Sequence, residues 1–146
     1  MSSEPQRNKV QVLLVEDNPG DVHLLRLALR NAQVNCDLQV IGDGAQALQF
    51  VRDCESQSTH SSLPDIAILD LNVPKNDGVE ILEAIRASTR FAQLPVLILT
   101  SSSSPREAAR LQCLGVSGHL IKPPDFEAFM GIGPVIRRML EEHQLL

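Results

Sequence analysis

Two hydrophobic rhythms alternate along this chain. Short, nearly continuous β-favouring runs at 10–15, 38–41, 66–69, 95–99 and 118–121 have the character of strands covered on both faces. Between them apolar residues recur at helical spacing. Val22, Leu24, Leu25, Ala28, Leu29 and Ala32 form one stripe, with Arg26 and Arg30 lying off it; Ala45, Ala47, Leu48 and Val51 follow the Gly42-Asp43-Gly44 turn. Asp77 with Glu80 predicts a capped helix carrying Val79, Ile81, Leu82 and Ile85, and Ser104, Pro105 and Glu107 fit the N-cap, N1 and N3 positions of another that Gly115 ends. The last helical segment holds Phe126, Phe129, Met130, Val135, Ile136, Met139 and Leu140, with both phenylalanines and Met130 assigned to the core. Gly131-Ile132-Gly133-Pro134 interrupts it, and a kink or break is expected there. The polar stretch from Cys54 to Leu63 reads as a surface loop. Five strands alternating with five helical segments predict an α/β, doubly wound three-layer sandwich.

The strand ends carry the chemistry. Glu16-Asp17, Asp70, Thr100 and Lys122 each follow or close an apolar run, and in a parallel sheet those ends are neighbours near the topological switch point. Mg²⁺ prefers about six oxygen ligands and keeps several waters, so a crevice with a few carboxylates suits it. Asp17 and Asp70 supply that pair, with Glu16 acting through water. Asp70 closes the most central apolar strand and is the better nucleophile for a phosphorus centre. Lys122 offers a fixed cation and Thr100 a hydroxyl for the transferred oxygens. Pro123, directly after Lys122, is compatible with a cis peptide that would aim the ammonium into the crevice.

Composition narrows the field. With 13 Lys and Arg against 18 Asp and Glu, the 146-residue chain carries a net charge of -5, which opposes nonspecific attraction to nucleic acid or anionic membrane. Cys36, Cys54 and Cys113 are odd in number and lack metal-like spacing, so neither a disulfide framework nor a zinc site is expected. His23, His60 and His143 show no ligand spacing and are assigned to the surface. The polar start and the lack of a membrane-length apolar stretch lead to an expectation of a cytoplasmic protein.

Val15-Glu16-Asp17-Asn18, Leu69-Asp70-Leu71-Asn72-Val73-Pro74, Asp77-Gly78, Leu99-Thr100-Ser101 and Ile121-Lys122-Pro123, in that order, resemble the response-regulator receiver domain of two-component signalling. The resemblance runs over 9–142, leaving a polar lead at 1–8 and a tail at 143–146. The wording around Asp17 and Asp70 is similar to a single-domain subgroup that includes cyanobacterial phytochrome response regulators. It implies a flavodoxin-like, five-stranded parallel sheet of order 2-1-3-4-5. Asp70 would accept a phosphoryl group from a histidine kinase, in this subgroup a phytochrome. Asp17, Asp70 and the backbone carbonyl of Asn72 would hold Mg²⁺, with Glu16 joining through water. Thr100 and Lys122 would contact the phosphoryl oxygens, the protein assisting its own phosphotransfer and dephosphorylation without being an enzyme. The Lys122-Pro123 peptide would be cis. The family's switch aromatic falls on His119, a departure from Tyr or Phe that brings a smaller, polar ring. Output would pass to a separate downstream protein or a homodimer formed through the last helices.

Two alternatives stay open: a receiver-like module that binds partners without phosphate, and a small aspartyl-phosphate phosphatase. The second lacks the general acid its family places two positions after the nucleophile, where this chain has Asn72. Ser101 and Ser102 directly follow Thr100 and are candidates to border the site, Ser102 through water access and Ser101 through a backbone phosphate contact.

Overall fold

The computed structural model of the chain describes residues 9–56, 63–75, 77–101 and 104–146. Five strands, β1 (Val10–Val15), β2 (Cys36–Ile41), β3 (Ile66–Leu69), β4 (Val96–Thr100) and β5 (Gly118–Ile121), form one parallel sheet in the order β2-β1-β3-β4-β5. The order reverses between β1 and β3, which opens the crevice above their carboxyl ends. Every residue of β3 and β4 is buried, because helices cover both faces of the sheet. β1 differs only at Gln11, which is half-buried.

Helices α1 (Pro19–Asn31), α2 (Gly44–Ser56), α3 (Gly78–Ala87), α4 (Pro105–Cys113), α5 (Phe126–Met130) and α6 (Ile132–Glu142) complete the chain. One core, under α2, α3 and α4, includes Leu13, Val15, Leu69, Ile81, Ile98 and Leu111; the other, under α1, α5 and α6, includes Val12, Leu14, Leu25, Ile68, Phe129 and Ile136. Fully burying such a side chain stabilises by about 1.5–3 kcal/mol, so a register slip that flipped a central strand would gain little while breaking both layers. The doubly wound, flavodoxin-like architecture is therefore the one expected. Among the described residues no helix is long and apolar enough to cross a membrane.

The predicted capping boxes form at Asp77 with Glu80 and at Ser104 with Glu107. The expected interruption is a break: α5 ends and α6 begins around Gly131, which puts Pro134 in the first turn of α6, where its missing amide has no intrahelical partner to lose. Gly133 lets α6 cross α1 closely, since a Cβ there would lie 2.2 Å from the Ala28 carbonyl oxygen. Arg137 reinforces the crossing by donating to the Ala32 and Gln33 carbonyls at 3.1 and 2.8 Å, beyond the C-terminus of α1.

Besides the starts of β2 and β4, which move to Cys36 and Val96, two readings change. Cys54 belongs to α2 and is buried in the core, so the loop does not begin there; the polar residues before it made the helix end look earlier than it is. Phe129 is core but Phe126 is 53% exposed, because the short α5 turns only one of its phenylalanines inward. Among the histidines assigned to the surface, His23 and His143 are exposed, while His60 lies outside the described residues.

Candidate functional site

Backbone hydrogen bonds carry the ladder one step past each strand and fix the site residues. The Glu16 amide donates to the Ile41 carbonyl at 3.0 Å, the Asp70 amide to Val15 at 3.0 Å, and the Lys122 amide to Thr100 at 2.7 Å. Glu16, Asp70 and Lys122 therefore sit at matched heights on three different strands. Glu16 and Asp70 are buried at 5% and 6% exposure, and Thr100 is fully buried.

Lys122 crosses the crevice to meet three carboxylates. Its Nζ donates to Glu16 Oε1 at 2.7 Å, Asp21 Oδ2 at 2.8 Å and Asp70 Oδ2 at 3.0 Å. An ammonium has three N–H donors, so this set uses all of them. Burial alone would pull the Lys122 pKa down, but the bonds it donates to Asp21, Glu16 and Asp70 outweigh it and hold the pKa above its ordinary 10.5. For Glu16 the balance is opposite: burial raises its pKa, and Lys122 offsets only part of that.

The other Glu16 oxygen accepts from the Asn18 amide at 3.1 Å, and Asn18 in turn caps α1 by accepting from the Gly20 and Asp21 amides. Asp70 Oδ1 accepts from the Asn72 amide at 3.0 Å, and Asn72 Nδ2 donates to Thr100 Oγ1 at 3.3 Å. Gly78 supports this loop from below. A Cβ at Gly78 would lie 2.8 Å from the Asp70 carbonyl oxygen, so only glycine lets α3 begin this close to the end of β3.

Oxygens of Glu16, Asp17 and Asp70 lie within 4.8 Å of one another, with Asp17 exposed at the mouth. With Asp21 the crevice holds four carboxylates against one ammonium. All-oxygen donors and an uncompensated negative charge fit a hard divalent cation, so the donor set passes the test for Mg²⁺.

The expected residues Glu16, Asp17, Asp70, Asn72, Thr100 and Lys122 thus converge. His119 stands apart on β5, half-buried and opposite Ile98, beside Ala108 and Gln112 of α4. The Lys122-Pro123 peptide is not cis, since the structure has no cis peptide bond among the described residues. The trans form of an X-Pro bond is favoured by about 0.5–1 kcal/mol, and Lys122 reaches all three carboxylates without the bend assigned to it. Ser101 is exposed beside the site, and Ser102 lies outside the described residues. Asp21 is the site residue the sequence did not disclose.

Comparison with known proteins agrees with this geometry. Residues 12–132 match the family described as response regulator receiver domain. "Probable methanogenesis regulatory protein FilR2" of Methanothrix harundinacea is 37% identical over 116 residues, covering 80% of this chain and 74% of that protein. Response regulator Rcp1 of Synechocystis sp. is 33% identical over 122 residues, 84% of this chain and 82% of Rcp1. The Mn²⁺-bound form of Rcp1 superimposes with a TM-score of 0.77 at 28% identity, covering 88% of this chain and 91% of that one. The phosphorylated cyanobacterial phytochrome response regulator RcpA gives 0.78 at 30% identity, covering 89% and 92%. A family match spanning most of the chain, over the strand ends that build the crevice, establishes that this protein belongs to the response-regulator receiver family of two-component signalling.

Proposed function

We propose that the chain is a Mg²⁺-dependent phosphoryl acceptor at Asp70, charged by a histidine kinase and read by a separate partner. The observation that carries this is Asp70 itself, a nearly buried carboxylate held by the Asn72 amide on one oxygen and by Lys122 on the other. An Asp70 oxygen attacks phosphorus, the P–N bond to the kinase histidine breaks, and the imidazole leaves with the electron pair. Lys122 moves from the carboxylate to a phosphoryl oxygen, and Thr100 exchanges its Asn72 contact for another. Asp17, Asp70 and the Asn72 carbonyl would hold Mg²⁺, with Glu16 joining through water. The bound ion supplies positive charge that offsets the phosphoryl oxygens. The same groups would assist dephosphorylation, so the protein acts as a signalling acceptor that shapes its own phosphate lifetime.

The likeness to RcpA, a cyanobacterial phytochrome response regulator, supports a phytochrome as the kinase, and membership of the receiver family is consistent with a cytoplasmic setting. Exposed Phe126 and Val135 favour a homodimer or partner contact through the last helices. His119 would couple Thr100 to that output. His119→Ala is then expected to keep phosphoryl uptake while losing the NMR shift changes that phosphorylation produces in α4 and β5; unchanged shifts remove His119 from the switch.

Intact-mass spectrometry after acetyl phosphate and Mg²⁺ tests the acceptor reading. One added phosphoryl group in the wild type, absent with EDTA and in Asp70→Asn, is the expected result. No adduct in the wild type would instead favour a phosphate-independent binding module.

A further inference from the structure

We infer that Asp21 is a positioning residue that competes with the phosphoryl group for Lys122 while drawing the divalent cation in. This rests on the acceptor reading above. The Lys122 ammonium has no free donor, since Glu16, Asp21 and Asp70 occupy all three at 2.7–3.0 Å. A phosphoryl group on Asp70 takes over the N–H now given to Asp70 Oδ2, and any second phosphoryl contact must displace Glu16 or Asp21.

Burial decides which partner yields. The Glu16 side chain is 5% exposed and, if abandoned, would be left as an uncompensated buried charge. Asp21 is 26% exposed in the first turn of α1, where water and the helix N-terminus accommodate its charge. Asp21 is the low-cost contact to open. It also adds a fourth negative charge to a crevice with one cation, which attracts Mg²⁺ and repels phosphoryl oxygens. The two consequences have opposite sign, and a merely structural role would not produce that split.

The test uses calorimetric titrations of the full chain, which has no Trp or Tyr to report by fluorescence. Wild type, Asp21→Asn and Asp21→Glu are titrated with Mg²⁺ and, at saturating Mg²⁺, with beryllofluoride as the phosphoryl mimic. Asp21→Asn is expected to bind Mg²⁺ about threefold or more weakly and beryllofluoride about threefold or more tightly, with Asp21→Glu returning toward wild type. Shifts in the same direction, or none, overturn the inference while leaving the acceptor reading intact. Failure of the wild type to bind beryllofluoride overturns both. Should Asp21→Asn not fold, wild-type NMR decides: the Asp21 side-chain carbon resonance should move when beryllofluoride joins the Mg²⁺-saturated protein, and a fixed resonance contradicts the release.

Discussion

Two cations, at opposite ends of the sheet, are used in opposite ways. At the carboxyl ends the Lys122 ammonium is bonded, among the described residues, to carboxylates alone. At the amino ends Arg86, from α3, is bonded among the described residues to backbone carbonyls alone: Leu94 and Leu114 at 2.8 and 2.7 Å, Gly115 at 3.0 Å, Ala92 at 3.3 Å and Phe91 at 3.5 Å. Carbonyls cannot titrate, bind phosphate or leave the chain, so Arg86 pins the loops before β4 and β5 permanently. Carboxylates can take a metal or a phosphoryl group, so Lys122 has alternatives. The contrast sets a rigid base beneath a crevice whose ion pairs can change partners.

The largest expected effects break this comparison directly. Arg86→Met and Lys122→Met should each destabilise the metal-free protein by about 3 kcal/mol in urea unfolding, the first by stranding carbonyls and the second by leaving buried carboxylates unpaired. Millimolar Mg²⁺ should restore much of the Lys122→Met loss, because the ion binds the folded crevice, and none of the Arg86→Met loss. Equal Mg²⁺ responses from the two variants would erase the distinction.

A smaller effect sharpens it. Glu55, at the end of α2, accepts from the Ser88 and Thr89 hydroxyls and the Thr89 and Arg90 amides, tying α2 to the loop after α3. The Ser88 and Thr89 hydroxyls hold its pKa at about 2, below the ordinary 4.5. A lowered acid pKa stabilises the fold above 4.5 and loses that contribution as pH falls toward 2. Glu55→Gln should therefore be less stable than wild type near neutrality, with the gap closing across that interval in thermal melts. A gap unchanged at pH 2 would mean that the charge contributes nothing.

Most of the site was legible because apolar runs ending on Glu16, Asp70, Thr100 and Lys122 announce where parallel strands stop, and the topology then makes those ends neighbours. Asp21 was not, since a polar residue in the first turn of an amphipathic helix has the same signature whether it meets water or an ammonium 101 positions away. The misplaced loop start at Cys54 has a similar cause, for Arg52, Asp53 and Glu55 surround one inward-facing thiol. Gly131 to Pro134 announced a break by its composition, but why Gly133 is glycine depends on the Ala28 carbonyl, a contact between distant segments. A proline after Lys122 is compatible with either isomer and the resemblance implied cis, whereas the peptide is trans, the isomer that an X-Pro bond favours by itself.

The most direct test of the central claim is to locate the bond. Borohydride reduces an aspartyl phosphate to homoserine, so wild-type protein treated with acetyl phosphate and Mg²⁺, reduced and digested, can be mapped residue by residue. Homoserine at position 70, and none at 17 or 21, is the predicted result. Homoserine at another carboxylate, or none anywhere, would contradict Asp70 as the phosphoacceptor.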